Sequence, residues 1–163
     1  MLFRSVVDAV KVPIVAAGGI ADARGIAAAF ALGAAGVQIG TGYLRCPEAG
    51  TSNFHRDAIR RAHVDSTVLS NIFTGRPARV LSSRLTRELG PMSDAAPNFP
   101  LPLRALLPLI SLAEKRAIND FTPLWSGEAA ALARDLPGQR LTVELAKGAL
   151  ERFKRLSPGW RAA

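Results

Sequence analysis

The sequence predicts an α/β protein whose N-terminal part is a βαβ unit with two parallel strands. Two short apolar runs, at residues 13–17 and 36–40, flank an alanine-rich segment with helical periodicity, and glycines lie at the end of each run. A strand that is buried on both faces is apolar throughout, as the first run is, whereas a half-exposed strand alternates. Ligands of such folds bind at the carboxyl ends of the strands, so the two glycine turns are the first candidate site.

Helix start and stop signals support the elements around these strands. A helical stripe over residues 2–10 ends before Pro13. The second helix is expected to start at an N-cap, Asp22, and to stop at Gly33. Ile26, Ala29 and Phe30 fall on one side of this helix.

The sequence pattern of the rest of the chain predicts shorter and more varied helices and strands. A helix over 54–62, with Asn53 as a possible cap, precedes a β-branched strand over 67–74. Gly75 turns the chain, and residues 78–81 are expected to pair back as a hairpin. Further helices are expected over 82–89, 103–117, 128–134 and 141–156, with a proline-rich connection at 90–102 and a loop at 123–127.

Composition narrows the class of protein. The 163 residues are 48% hydrophobic, with 14 Gly, 11 Pro and one Cys, which excludes collagen, a disulfide scaffold and a disordered tail. No apolar run reaches the roughly 18 residues of a membrane span, and Asp8 comes too early for a signal peptide. We therefore expect a cytoplasmic protein without a membrane partner. The length is below the roughly 250 residues of a complete eightfold α/β barrel.

The net charge of +8 raises the question of an acidic partner. Arginines cluster between Arg56 and Arg87, a pattern that can bind nucleic acid or an anionic substrate. Aromatic residues do not interleave with them as in a base-stacking surface, so we expect a solvated face, or arginines that pair with carboxylates elsewhere, and no nucleic-acid partner. A non-catalytic basic module stays open as an alternative function.

The glycine turns suggest an anion site. Gly18 and Gly19 lack a Cβ, so the backbone can turn sharply and present N–H groups to a ligand at a helix start. The turn at Gly40, Thr41 and Gly42 adds a hydroxyl. In eightfold α/β barrels the loops after the last two strands commonly hold a phosphate, so both turns are predicted to share one. Ordinary βα turn chemistry is the alternative.

Gln38 is a polar residue inside the second apolar run. Its side chain is expected to point opposite to Val37 and Ile39, toward a barrel interior. An amide there needs a partner, and a ring with carbonyl and N–H edges would supply one. A hydrogen bond to a neighbouring strand is the alternative.

Several segments resemble the nitronate monooxygenases, formerly called 2-nitropropane dioxygenases. The first region of resemblance comprises residues 15–22, 31–34 and 36–41, the second residues 73–79 and the third residues 124–128. They keep the family's order and cover nearly the whole chain. Glu128 stands where the family usually has Gln.

The resemblance implies a fold and a cofactor. The chain is expected to be a C-terminal fragment of a (β/α)8 TIM barrel, with its last two strands and an inserted small α/β substrate domain. Residues 1–44 would form barrel units, 45–123 the insertion, and 124–163 the returning helices. The cofactor is expected to be FMN, and the residues that resemble its contacts are Gly18, Gly19, Gln38, Ile39, Gly40 and Thr41.

The resemblance also shows what this chain does not match. It begins at the seventh strand, so the family's glycine-flanked catalytic histidine has no counterpart, and we predict neither a catalytic residue nor a metal ligand here. His55 and His63 are expected at the surface, Cys46 in packing and Trp125 as a core or interface anchor. Two strands cannot close a barrel, so we expect weak FMN binding alone and a need for a complementary N-terminal half or self-association.

The predicted function is the C-terminal part of an FMN-dependent nitronate monooxygenase, which oxidises alkyl nitronates with O2 and is inactive without its N-terminal half. Arg76 and Arg79 either attract the anionic nitronate or are solvated. An FMN-dependent enoyl reductase of the same superfamily, using a nicotinamide donor, is the alternative enzyme.

Overall fold

The computed structural model describes residues 2–156, which form two compact units. Unit 1 comprises the chain up to Gly50 and from Leu132 onward, and unit 2 comprises Thr51–Ala131. The sequence-based boundaries lay at 44/45 and 123/124. The end of the third predicted segment, 157–163, lies outside the described residues.

Unit 1 contains the predicted βαβ unit. Its elements are α1 (Leu2–Ala9), β1 (Val15–Ala17), α2 (Ala23–Ala31), β2 (Gly36–Gln38) and α6 (Gly138–Leu156), with short 3-10 turns at Thr41–Tyr43 and Pro47–Ala49. The two strands pair in parallel, with Val15 opposite Gly36 and Ala17 opposite Gln38. The predicted order of helix, strand, helix and strand is confirmed.

The ends of α2 follow the signals in its sequence. Asp22 caps the helix, because its Oδ1 accepts the N–H of Gly25 at 2.8 Å. Gly33 lies just beyond the helix end with a φ of +96°, a left-handed conformation that favours glycine. Ile26 and Ala29 are buried, whereas the Phe30 side chain is 39% exposed and meets the Phe153 ring edge to face. The core on this side of the unit consists of Ile26, Cys46, Leu141, Leu145 and Ala149.

The prediction that β1 is buried on both faces is wrong for this chain. Ala16 is buried against Ala29 and Ala34, whereas Val15 is 58% exposed and Ala17 is also exposed. Successive side chains of a strand point to opposite faces, and the described residues cover one face of this two-stranded sheet. β1 is therefore apolar at all three positions, although the described residues bury the side chain of only one of them, Ala16.

Unit 2 is built around an antiparallel hairpin. Its elements are α3 (Asn53–Arg60), β3 (Thr67–Ser70), β4 (Ala78–Leu81), α4 (Arg84–Glu88) and α5 (Leu101–Lys115), and a 3-10 segment over Glu128–Leu132 reaches the boundary. Thr67 lies opposite Leu81 and Ser70 opposite Ala78, which confirms the predicted hairpin. Its core consists of Ile72, Phe73, Val80 and Leu85, with Val68, Leu106 and Phe121 packed against it.

Three local predictions in unit 2 are wrong. The cap of α3 is Ser52 rather than Asn53, because the Ser52 hydroxyl accepts the His55 N–H at 3.3 Å. β3 ends at Ser70 rather than at residue 74, since the chain turns there to bury Phe73. The segment that begins at Glu128 is 3-10 rather than α-helical.

Within residues 2–156, no helix is both long and apolar enough to cross a membrane.

Candidate functional site

The two glycine turns lie side by side in unit 1. They follow the carboxyl ends of β1 and β2, where Ala17 and Gln38 are paired in register. The turns also touch: a Cβ built on the buried Gly42 would lie 3.3 Å from Ala21 Cβ and 2.9 Å from Ile39 Cγ2. Sequence reasoning treated Gly42 only as a source of turn flexibility and missed that it is a packing contact between the turns.

The backbone of the first turn requires glycine. Gly18 has a φ of +97° and Gly19 a φ of +68°, a region that side chains with a Cβ rarely adopt. Within the described part of the chain, a Cβ built on Gly18, Gly19 or Gly40 would find no heavy atom within 4 Å. Their surface is therefore open to a ligand, and conformation rather than packing explains the two glycines of the first turn.

The start of α2 is already occupied by a carboxylate. Burial raises the pKa of Asp22, but the hydrogen bonds from Gly25 and Arg24 outweigh it, so the net pKa lies below its usual value. Arg24 also pairs with Asp22 at 2.8 Å. The Asp22 carboxylate would repel a second anion at the N-terminus of α2. The candidate anion site is therefore the glycine turn that precedes the helix, not the helix N-terminus itself.

The second turn is held by its own hydrogen bonds. Thr41 opens the 3-10 turn, the N–H of Tyr43 donates to the carbonyl of Gly40 at 3.0 Å, and the N–H of Leu44 donates to the carbonyl of Thr41 at 3.1 Å. A short 3-10 segment thus follows β2, and in eightfold α/β barrels a short extra helix commonly takes part in the phosphate site near the last two strands.

Gln38 and Ile39 belong to different faces of the sheet. Gln38 is exposed and pairs in register with the exposed Ala17, while Ile39 and Val37 pack against the core of unit 1. The predicted alternation around Gln38 is therefore confirmed. Because the Ile39 side chain is used in packing, its backbone is the part that remains for a ligand.

The second and third regions of resemblance form one structure in unit 2. The N–H of Ser126 donates to the carbonyl of Arg79 at 3.2 Å, and the N–H of Leu81 donates to the carbonyl of Leu124 at 2.9 Å. The Phe73 and Trp125 rings meet edge to face, with centroids 6.0 Å apart. The segment around Trp125 thereby pairs with β4 through an isolated antiparallel bridge between Val80 and Trp125.

Two arginines that were candidates for attracting an anion have partners in unit 2. Arg79 Nη2 lies 2.7 Å from Glu128 Oε1, and Arg79 Nη1 donates to the Thr67 hydroxyl at 3.2 Å. The guanidinium of Arg76 lies 4.3 Å from the centre of the Phe99 ring. The carboxylate of Glu128, at the position where Gln was expected, therefore has a cation to neutralise it.

The two histidines differ in environment. His63 is exposed as predicted, but the surface prediction for His55 is wrong, because its ring is half-buried and its Nε2 has no hydrogen-bond partner among the described residues. Burial lowers the pKa of His55, and a hydrogen bond to the Trp125 backbone opposes that shift only in part.

Cys46 is buried in the core as predicted. Among residues 2–156, no cluster of His, Cys, Asp and Glu is placed to hold a metal ion.

Comparison with known sequences identifies the relatives of this chain. Residues 1–148 match the family model for nitronate monooxygenase. A probable nitronate monooxygenase from Staphylococcus saprophyticus is 34% identical over 154 residues, which cover 94% of this chain and 43% of the relative. A nitronate monooxygenase from Pseudomonas aeruginosa is 39% identical over 132 residues, which cover 80% of this chain and 38% of the relative.

Solved structures show the same α/β fold over most of this chain. A nitroalkane oxidase from Streptomyces ansochromogenes is 39% identical with a TM-score of 0.86, and the match covers 96% of this chain and 44% of that one. FabK from Thermotoga maritima is 31% identical with a TM-score of 0.79, covering 96% and 50%. The chain spans about two fifths of the length of the curated relatives, in agreement with the C-terminal part that its motifs indicate. It belongs to the nitronate monooxygenase family.

Proposed function

We propose that unit 1 forms the FMN phosphate site of a nitronate monooxygenase. In this proposal β1 and β2 are the last two strands of a (β/α)8 barrel, unit 2 is the inserted substrate domain, and the protein acts in the cytoplasm. The residues that would hold FMN are Gly18, Gly19, Gln38, Ile39, Gly40 and Thr41.

The observation that carries the proposal is the contact between the two turns at Gly42 and Ala21. It joins two glycine-bearing turns at the ends of neighbouring parallel strands, which is where α/β folds bind nucleotides. A phosphate bound by backbone N–H groups and a hydroxyl needs such an open, Cβ-free surface, and Gly18, Gly19 and Gly40 supply it.

Each side chain has a separate role in this site. The exposed amide of Gln38 can both donate and accept hydrogen bonds, which matches the polar edge of a flavin ring. Thr41 offers its hydroxyl to the phosphate, and Ile39 contributes its backbone because its side chain packs in the core. The glycines keep the approach to the backbone open.

The proposed substrates of the complete enzyme are alkyl nitronates and O2. FMN, when bound, supplies the electron transfer between them. The residues of this chain bind and orient the cofactor, and neither histidine receives a catalytic role. Because the sheet of unit 1 has two strands among the described residues, we propose that activity needs a complementary N-terminal half or self-association.

A comparison of FMN with riboflavin tests the phosphate site. The chain, alone and mixed with the N-terminal part of a family member, is titrated with each flavin and followed by flavin fluorescence. We expect FMN to bind at least about tenfold more tightly, since a phosphate contacts several backbone N–H groups. Equal affinity for the two flavins would contradict the proposal.

A matched pair of glycine substitutions locates the site. Gly19 and Gly50 have similar φ values, +68° and +64°, and both face open space in unit 1. Gly19→Ala is expected to weaken FMN binding by about tenfold or more, because a Cβ strains the left-handed backbone of the turn and covers the surface that the phosphate would approach. Gly50→Ala, which lies outside the two turns, is the control and is expected to bind FMN as the unchanged chain does.

The alternative functions give different results. Rapid anaerobic reduction of the bound flavin by a nicotinamide donor would favour an FMN-dependent enoyl reductase. Failure to bind FMN even beside the N-terminal part, together with salt-sensitive binding to an oligonucleotide, would favour a non-catalytic basic module.

A further inference from the structure

The segment that follows the second glycine turn is fixed to the start of α6 by side-chain bonds. The bonds come from three side chains in the segment after the turn, those of Tyr43, Arg45 and Glu48. Each of them bonds to a residue within 133–142. We call this set of bonds the clamp. All of its members lie in unit 1.

Arg45 makes the most contacts in the clamp. Its Nε donates to Asp135 Oδ1 at 2.9 Å, its Nη2 pairs with the other oxygen of the same carboxylate, and its Nη1 donates to the carbonyl of Ala133 at 2.7 Å. The Arg45 side chain is only 13% exposed. A bidentate, charge-assisted pair of this kind holds both partners in one geometry, unlike an exposed surface ion pair.

Tyr43 and Glu48 extend the clamp on either side of Arg45. The Tyr43 hydroxyl lies 2.8 Å from the Thr142 hydroxyl, which also donates to the carbonyl of Gly138 at 2.8 Å. The Glu48 carboxylate accepts the N–H of Gly138 at 3.1 Å, so it caps the first turn of α6.

The clamp is connected to the glycine turn by a short and rigid backbone path. Consecutive hydrogen bonds run from Tyr43 to Gly40, from Leu44 to Thr41 and from Cys46 to Tyr43. Cys46 is 2% exposed and sits in the core of the unit. A displacement at Arg45 is therefore transmitted to Gly40 and Thr41 rather than absorbed in between.

We propose that Arg45 is a positioning residue, which holds the turn at Gly40 and Thr41 in its binding conformation before any ligand arrives. The link to flavin rests on the function proposed above, whereas the fixing of the turn does not. Arg45 would act on the cofactor only through the turn, because its guanidinium is already used by Asp135 and Ala133.

Hydrogen exchange of the flavin-free chain tests the fixing of the turn. In Arg45→Gln, the amides of residues 39–44 are expected to exchange roughly tenfold faster or more, as follows from losing a bidentate charged bond. The control is Arg134→Gln, which removes the same charge from the residue between Ala133 and Asp135 and breaks a single, more exposed bond at 2.8 Å to Glu144. Exchange that is unchanged, or that rises equally in both variants, would overturn the proposal.

Milder variants keep the test decisive if Arg45→Gln does not fold. Asp135→Asn weakens the bidentate pair while the bond from Arg45 to the Ala133 carbonyl stays, and it should raise exchange in the same peptide by a smaller factor. Arg45→Lys retains the charge without the fork geometry and should restore only part of the protection. Full protection in Asp135→Asn and Arg45→Lys, in folded protein, would again overturn the proposal.

FMN titration connects the fixed turn with the cofactor. Arg45→Gln is expected to weaken FMN binding about tenfold, with Arg134→Gln unaffected. If the unchanged chain binds FMN and Arg45→Gln binds it equally well, the positioning role is wrong and the proposed function stands. If the unchanged chain does not bind FMN even beside the N-terminal part of a family member, but exchange in Arg45→Gln still rises at residues 39–44, the proposed function fails and the fixing of the turn stands.

Discussion

Unit 1 and unit 2 differ in how far the side chains of their strands are buried. Unit 2 encloses its hairpin core, with Val80 at 0% and Phe73 at 1% exposure. Unit 1 leaves Val15 58% exposed and has an apolar groove of about 650 Å³ beside β2, partly lined by Phe30 and Leu150. An antiparallel hairpin can complete its pairing locally, whereas a parallel sheet needs further strands and covering helices. The two units therefore respond differently to the same substitution.

Gly75→Ala should give the largest effect and should separate the units most clearly. Gly75 has a φ of +82°, and an added Cβ would lie 2.6 Å from the Pro97 carbonyl oxygen and 2.8 Å from Asn98 C. We expect a loss of about 3 kcal/mol or more in the free energy of unfolding of unit 2, measured by urea denaturation with circular dichroism.

Two further glycines provide the comparison for this substitution. Gly90, in unit 2, has a φ of +76° with its nearest neighbour 4.0 Å away, and Gly18, in unit 1, has a φ of +97° in open space. Gly→Ala at either position should cost about 1 kcal/mol, because only the left-handed conformation is penalised. Equal losses at Gly75 and Gly90 would show that packing around Gly75 is not tight.

A matched pair of valines tests the difference in burial directly. Val80→Ala removes two methyl groups from a fully buried site and should cost about 2 kcal/mol. Val15→Ala removes the same atoms from an exposed strand and should change stability by less than about 0.5 kcal/mol. A large loss at Val15 in the isolated chain would mean that the open face of unit 1 is covered in solution.

The cap of α2 gives a smaller effect that depends on pH. Asp22→Ala should cost about 1 kcal/mol near neutral pH, because the Gly25 N–H loses its acceptor. The pKa of Asp22 is lowered in the folded state, so its contribution is present above the unfolded value of 3.8 and is lost as pH falls through the lower folded pKa. Asp22→Asn should keep most of the cap but lose this pH dependence, and urea denaturation at several pH values measures both.

His55 should give the smallest effect. Burial lowers its pKa in the folded state, so the unfolded chain takes up the proton first as pH falls below 6.5. The free energy of unfolding should therefore decrease below pH 6.5, and His55→Gln should reduce that decrease. The control is His63→Gln, which makes the same substitution at an exposed histidine. Identical pH profiles for all three proteins would contradict the burial of His55.

Sequence patterns predicted those features that depend on neighbours along the chain. The cap at Asp22, the stop at Gly33 and the hairpin strand at Ala78–Leu81 follow from local backbone chemistry, and all three are confirmed. Two local predictions were wrong for different reasons. The cap of α3 depended on which of two adjacent residues bonds to the helix, and the end of β3 at Ser70 rather than at residue 74 depended on the turn that buries Phe73. The sequence also placed the glycine turns at strand ends, but not the contact between Gly42 and Ala21.

Apolar runs, glycines and motif order were sufficient to indicate an α/β chain of this family and its candidate flavin turns, because they are properties of neighbouring residues. The exposure of Val15, the burial of the His55 ring and the bond from Arg45 to Asp135 became visible only after folding. Each depends on groups far apart in the chain, and burial and long-range pairing are set by which surfaces meet in three dimensions.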